Sequence, residues 1–318
     1  MIIIACPGQG SQTPGFLEPW LADETARTWL AEVSSQIGCD LIKHGTESDA
    51  DTIRATNIAQ PLIVAAGILT VDAFNRALDE LAPETAAAIR EKIVFAGHSV
   101  GEITAAYAAG VFDSKTALRF VADRANAMQE CATAQSTGMA AVLGGETAEV
   151  ETHLASLDLA PANYNGAGQI VAAGEHENLD KLAAAPLEKT RVIKLQVAGA
   201  FHTEFMAPAR DALAANREKY ASSDPHSPLY TNFDGSTVAD GNKYVDLLVA
   251  QVASPVRWDL CMEKMLAAGA DTLIEAAPAG ALAGLARRGM PGVTAHKISS
   301  PDDVKSVVAT LAAAVKEG

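Results

Sequence analysis

The chain has 318 residues, 49% of them hydrophobic and 20% charged, which allows a large core and excludes a disordered chain. Its formal net charge of −15 excludes a general nucleic-acid binder, which would be basic. The four cysteines, Cys6, Cys39, Cys131 and Cys261, form no Cys-x-x-Cys pair, so neither a zinc site nor a disulfide framework is indicated; inert thiols in a reducing cytosol are expected, which makes the protein cytoplasmic.

Residues 1–6 read as a buried strand. No basic segment precedes a long apolar one, so no signal peptide is expected, and no run approaches the length of a membrane span. A turn follows, Pro7-Gly8-Gln9-Gly10-Ser11-Gln12. Gly8 and Gly10 have the spacing of a dinucleotide fingerprint, but Thr13 stands where the third glycine belongs and Pro14-Gly15 breaks the helix that should start there. A loop that brings backbone N–H groups close to a ligand is the better reading. Residues 23–36 should be helical, with Asp23 as N-cap. Gln60-Pro61 should open a helix running through Phe74, with Pro61 at its first position. That helix is apolar on nearly every side and belongs in the interior. Gln60 is then a cap or a site residue.

The centre of the sequence is the stretch from Lys92 to Gly110. An apolar run, Ile93 to Ala96, leads into Gly97-His98-Ser99-Val100-Gly101 and then a helix stopped by Gly110. Gly-x-Ser-x-Gly between a strand and a helix is the pattern of a nucleophile elbow. The turn is too tight for side chains beside the serine, and the following helix aims its positive end at the site.

Asp113 to Cys131 reads as a helix with an inner stripe of Ala117, Val121, Arg124 and Met128. Arg124 either lies at the edge of the stripe with its head in water or faces a cleft, where its guanidinium would hold a carboxylate by two parallel hydrogen bonds. Pattern alone leaves both open.

Residues 138–198 have their own rhythm. Strand, helix, two strands joined at Gly166-Ala167, helix and strand give βαββαβ, a ferredoxin-like unit. The expected fold is therefore an α/β-hydrolase-like domain with a parallel central sheet, residues 1–131 and 199–318, and an inserted ferredoxin-like subdomain, residues 132–198. Asn163 and Asn165 flank the turn of the insert, where asparagine is ordinary turn chemistry first and a site residue second. Further helices are expected from Glu204 to about Tyr220, Asp246 to Ala253, Trp258 to Ala268, Ala279 to Arg288 and about Pro301 to Val315. Leu229–Asn232 and Thr272–Glu275 should be short strands.

A nucleophilic serine needs a base, most often histidine. His98 adjoins Ser99 and should diverge from it. His153 and His176 fall in the insert, His44 and His226 in polar loops, and His296 near the end of a short apolar segment. His202 sits where the chain re-enters the main domain, and topology favours it. Spacing offers no third acid, so a backbone carbonyl is the alternative for orienting the ring.

These motifs coincide in order along almost the whole chain: Pro-Gly-Gln-Gly-Ser-Gln at 7–12, Gln60-Pro61, Gly-His-Ser-Val-Gly-Glu at 97–102, Arg124 ahead of Met128-Gln129-Glu130, Asn163-Tyr164-Asn165, Phe201-His202 and Pro255-Val256-Arg257-Trp258. Together they resemble the malonyl-CoA:acyl carrier protein transacylase family of fatty acid synthesis. The resemblance implies Ser99 as nucleophile, His202 as base and Arg124 as partner of the malonyl carboxylate. It implies an oxyanion hole from the N–H groups of Gln9 and Val100, substrate contacts at Gln60, Met128, Asn163 and Phe201, and a carbonyl near Ser254 to Arg257 orienting His202. Phe201 resembles the malonyl-selecting form of related acyltransferases. Malonyl-CoA and acyl carrier protein are the implied partners, with no metal or other cofactor, no nucleic acid, no membrane and a monomeric state. Carrier protein is acidic, so Arg191, Lys194, Arg287, Arg288 and Lys297 are candidates for docking it. The chain departs from the family at Ser254, where Asn is frequent, and at Glu275-Ala276-Ala277-Pro278-Ala279, where Glu-x-Gly-Pro-Gly is frequent. The competing readings are a polyketide carrier as acceptor, a serine thioesterase with water as acceptor, and a non-catalytic binding module.

Overall fold

The computed structural model describes residues 1–317. In chain order the elements are β1 (Ile2–Cys6), α1 (Glu24–Ile37), α2 (Leu41–Thr46), α3 (Thr56–Leu81), α4 (Ala86–Glu91), β2 (Ile93–Gly97), α5 (Gly101–Ala108) and α6 (Ser114–Ala134). There follow β3 (Thr137–Leu143), α7 (Thr147–Ser156), β4 (Ala160–Gly166), β5 (Gln169–Glu175), α8 (His176–Ala184) and β6 (Arg191–Lys194). The chain ends with α9 (Ala207–Ala215), α10 (Gly241–Gln251), β7 (Val256–Arg257), α11 (Trp258–Ala267), β8 (Thr272–Glu275), α12 (Ala281–Gly289), β9 (Thr294–Lys297) and α13 (Pro301–Glu317).

The first sheet has the order β2-β1-β8-β9 and every pair is parallel, with Ile3 opposite Val94 on one side and Leu273 on the other. Parallel strands are covered on both faces, which is why β1 is apolar throughout rather than alternating. Ile2, Ile4 and Cys6 face one core, which includes α3 and α6; Ile3 and Ala5 face the other, with Trp258, Met262, Leu282 and Leu285 of α11 and α12. The second sheet has the order β6-β3-β5-β4-β7. Its first four strands are antiparallel in the ferredoxin-like arrangement, over a core of Val142, Leu154, Ile170 and Leu179 shared with α7 and α8. The fifth strand arrives from elsewhere in the chain: Val256 and Arg257 pair in parallel with Asn163 and Tyr164. The Arg257 guanidinium also lies 4.5 Å from the centre of the Tyr164 ring.

Several elements depart from the sequence reading. The helix expected to open at Gln60-Pro61 begins at Thr56, and Pro61 lies inside it. The Thr56 N–H is satisfied from outside by Gln129 Oε1 at 2.9 Å, so the first turn forms upstream of the proline. This helix is long and apolar enough to cross a membrane, contrary to the expectation that no run was, yet 78% of its most apolar window is buried inside the protein. It is a core helix. The helix expected from Glu204 to Tyr220 is divided. Asn216 closes α9, its side-chain amide donating to Ala212 O at 2.9 Å, and a short 3-10 turn, Arg217–Lys219, follows. Leu229–Asn232 makes isolated bridges to Phe95 and Thr237 rather than a strand. The short elements α2, α4, β7 and β9 carry too little periodicity to be read from sequence.

Candidate active site

The turn after β2 is shaped by close approach. A Cβ on Gly97 would overlap the backbone of Gly101 and Glu102, and one on Gly101 would overlap the Cys6 carbonyl. Between them Ser99 takes a left-handed φ of 53°. Asn232 holds that conformation. Its Oδ1 accepts from the Ser99 N–H at 2.8 Å and its Nδ2 donates to the Gly97 carbonyl at 2.8 Å, so one amide spans the turn.

His202, buried and also left-handed at φ 61°, brings Nε2 to 2.7 Å from Ser99 Oγ. Its Nδ1 lies 2.8 Å from the carbonyl of Gln251, the last residue of α10. A carbonyl only accepts, so Nδ1 carries the proton and Nε2 is free to accept the serine proton. The nearest orienting carbonyl is that of Gln251, just ahead of the expected stretch, and the Ser254 backbone, inside that stretch, makes a weaker contribution to the same ring; the end of α10 supplies a carbonyl with no intrahelical donor. Burial, reinforced by the Arg124 charge, pushes the His202 ring down to about 3, so it is neutral at physiological pH.

Arg124 faces the cleft and not the solvent: it is 1% exposed. Nη1 donates to Gln60 Oε1 at 2.7 Å, and Nη2 donates to Gln251 Oε1 at 3.2 Å and Ser99 Oγ at 3.3 Å. Burial lowers its pKa to about 10, opposed by the charge of Glu102. Gln60 is thus a site residue and not a cap; its Nε2 reaches Gln9 Oε1 at 3.3 Å and the Met128 sulfur at 3.6 Å. Among the described residues, the N–H groups of Gln9 and Val100 donate to no protein acceptor, and Val100 stands at the N-cap of α5. Both are available to a developing oxyanion.

A cleft of about 450 Å³ joins these residues to the second sheet and is lined by Gln9, Gln60, Ser99, Met128, Phe201 and His202 on one side and Asn163, Asn165 and Val171 on the other. Arg124 lies behind Ser99 and Gln60, out of the lining but in contact with both. His98 diverges from Ser99 as expected but joins the wall, with Nε2 2.9 Å from Asn165 Oδ1 and the ring edge-on to Trp258 at 5.9 Å. Of the basic candidates, Arg288 lines the cleft and donates to Gln169 Oε1 at 3.3 Å. Lys194 is engaged by Asp180, and Arg191, Arg287 and Lys297 are exposed away from the lining. Glu275, within the departing segment, is buried and accepts from the N–H groups of Gly280, Leu282 and Ala283 at 2.8–2.9 Å, so it caps α12. Asn232 and Gln251 were missed: they lie far along the chain in no local pattern. Among the described residues, no three His, Cys, Asp or Glu side chains are grouped to hold a metal ion.

Fold and site together define an acyltransferase: the model of the acyl transferase domain family matches residues 4–308. A malonyl CoA-acyl carrier protein transacylase of Mycobacterium bovis is 46% identical over 304 residues, 96% of this chain and 98% of that protein. The crystal structure of the Mycobacterium tuberculosis enzyme named MCAT superposes with a TM-score of 0.90 at 43% identity, covering 97% of this chain and 99% of that one. A malonyl-transacylase solved in complex with a type II PKS acyl-carrier protein gives a TM-score of 0.86 at 28% identity, covering 97% and 99%. The chain belongs to the malonyl-CoA:acyl carrier protein transacylase family.

Proposed function

We propose that this protein moves a malonyl group from malonyl-CoA to the phosphopantetheine thiol of an acyl carrier protein through a malonyl ester on Ser99, supplying extender units for fatty acid synthesis. The observation that carries this reading is the position of one hydroxyl, 2.7 Å from a neutral histidine and 3.3 Å from a buried guanidinium. The histidine activates the serine; the guanidinium meets a carboxylate placed two bonds beyond the reacting carbonyl, as in malonate.

His202 Nε2 takes the Ser99 proton as Oγ attacks the thioester carbon. The oxyanion is received by the N–H groups of Gln9 and Val100, one such donor contributing roughly 3 kcal/mol. The carbon–sulfur bond breaks, and the imidazolium returns its proton to the departing CoA sulfur. In the second half the carrier thiol gives its proton to His202 and attacks the ester, and Ser99 recovers the proton as its bond to the acyl carbon breaks. Every step is a proton transfer or an acyl displacement, so the chemistry needs no metal and no redox cofactor. Arg124 supports selectivity: without a carboxylate its charge stays buried among neutral partners, which disfavours acetyl groups. Arg288 at the cleft rim is the basic residue best placed to meet an acidic carrier protein.

Intact-protein mass after mixing with malonyl-CoA, then with carrier protein, tests the reading. A malonyl adduct that requires Ser99 and passes to the carrier is expected; an adduct lost to water regardless of carrier makes the protein a thioesterase. The complex of a similar enzyme with a type II PKS carrier favours a second reading, service to a polyketide carrier. Transfer rates to the two carrier types, measured side by side, separate them.

A further inference from the structure

Beneath Ser99 lies a buried polar chain whose hydrogen-bond directions are all fixed. Arg124 can only donate, so Gln251 turns its Oε1 toward Nη2 and its Nε2 away. The Gly97 carbonyl can only accept, so Asn232 turns Nδ2 toward it and Oδ1 toward the Ser99 N–H. Two donors then remain to be met in the interior: the backbone N–H of Asn232 and the side-chain Nε2 of Gln251. Both are met by Glu102, in the first turn of α5. Its Oε1 accepts from Asn232 N–H at 2.6 Å, and its Oε2 accepts from Gln251 Nε2. Gln251 Nε2 also reaches Asn232 Oδ1 at 3.2 Å, closing a ring. Glu102 is 1% exposed and, among the described residues, makes no salt bridge. Burial pushes its pKa up to about 8, opposed by the donors of Asn232, Thr231 and Tyr244 and by the Arg124 charge, so it is this arrangement of donors that favours the carboxylate in the core.

We propose that Glu102 is a positioning residue for the acyl transfer, the acceptor that receives the two donors left over by Asn232 and Gln251 and so holds Arg124, the His202-orienting residue and the Ser99 elbow in one arrangement. The proposal rests on the reaction described above. Both carboxylate oxygens are needed as acceptors. Glu102→Gln keeps the shape but replaces one oxygen by a donor. The Asn232 N–H cannot reverse, so the new NH2 group must confront Gln251 Nε2. Turning the Gln251 amide over relieves that contact only by setting its NH2 against Arg124 and its oxygen against Asn232 Oδ1. No assignment of amide orientations satisfies the ring again. The loss should reach both arms, the clamp through the Gln251 side chain and the elbow through Asn232.

The test is single-turnover acylation followed by intact mass, with malonyl-CoA and, separately, with a carboxylate-free fluorophosphonate that reports Ser99 and His202 alone. Wild type and Ser99→Ala are run first: an adduct in both, or in neither, defeats the transfer reaction itself and is distinguishable from failure of the present proposal. Given a Ser99-dependent adduct, Glu102→Gln should label to full amplitude, with rate constants lowered about 30-fold for malonyl-CoA and several-fold for the fluorophosphonate. Gln251→Met cuts the arm to Arg124 while leaving the Gln251 carbonyl on His202; it should slow malonyl-CoA and spare most of the fluorophosphonate rate. A purely structural Glu102 would lower the amplitude, the fraction of competent molecules, and leave the rate constants alone. That result, or wild-type rates in Glu102→Gln, overturns the proposal. If Glu102→Gln fails to fold, equal slowing of both reagents by Gln251→Met overturns it instead.

Discussion

The two walls of the cleft are built by different means. The wall formed by the first sheet and its helices holds the candidate catalytic groups: Ser99, His202, Arg124, Gln60 and Gln251 are joined by hydrogen bonds of 2.7–3.3 Å behind a covering of apolar core. The wall formed by the second sheet is small and mostly apolar, with Met139, Ala141 and Val171 facing the cleft and Asn163, Asn165 and Gln169 as its polar groups. Its links to the first wall include the single His98–Asn165 bond, the two-residue ladder of β4 with β7 and the Arg257–Tyr164 contact. Buried charge and the candidate proton-transfer pair are thus concentrated in one half, and the other half supplies shape. Side chains from α3, α5, α6 and α10 can hold a reacting geometry because each is pinned by packing on both sides. A four-stranded insert standing on a short ladder is suited to cover a substrate whose acceptor must come and go.

Substitutions in the first wall should have the largest effects. His202→Ala should slow Ser99 acylation by on the order of 10⁴-fold, measured as adduct formation in a single turnover, because nothing else within reach accepts the serine proton. Acylation within tenfold of wild type would remove His202 from the mechanism. Arg124→Ala should lower malonyl transfer about 10³-fold and acetyl transfer much less, since the lost partner matters only to a carboxylate. Equal losses in parallel assays with the two CoA esters would end the clamp. In the second wall, Asn165→Ala removes one hydrogen bond to His98, worth about 1 kcal/mol, and should slow transfer about fivefold without altering the malonyl preference. A loss as large as that of Arg124→Ala would erase the contrast between the walls. The smallest effect expected is that of pH. With the His202 ring pushed down to about 3, the base stays unprotonated well below the range of an ordinary histidine. His202 should add no inflection to the acylation rate between pH 8 and about pH 5 while the fold is intact; a half-loss near pH 6.5 in stopped-time mass measurements would show a histidine exposed to water.

The same division governs what could be read from the sequence. The elbow was legible because Gly97 and Gly101 are demanded by local sterics. The insert was legible because six elements alternate in a period its own core requires. Arg124 stood out as a charge on an apolar stripe, but its direction depends on Gln60 and Gln251, which only the tertiary fold brings near. Asn232 and the Gln251 carbonyl were invisible for the same reason: one lies in a segment that imitates a strand, the other at a helix end that no cap residue announces. Pro61 misled because a proline suits a helix start, whereas the Thr56 N–H found its acceptor across space, on Gln129.

Ser99 and His202 both hold left-handed backbone conformations, and for side chains of their kind each such conformation costs roughly 1 kcal/mol or more. Glycine would relieve that cost, so Ser99→Gly should melt higher than the wild type while forming no adduct, a result calorimetry would reveal. Selection for durability and selection for turnover therefore pull these two positions in opposite directions. A lineage released from the need to transfer acyl groups would have a short downhill path to a sturdier, silent protein.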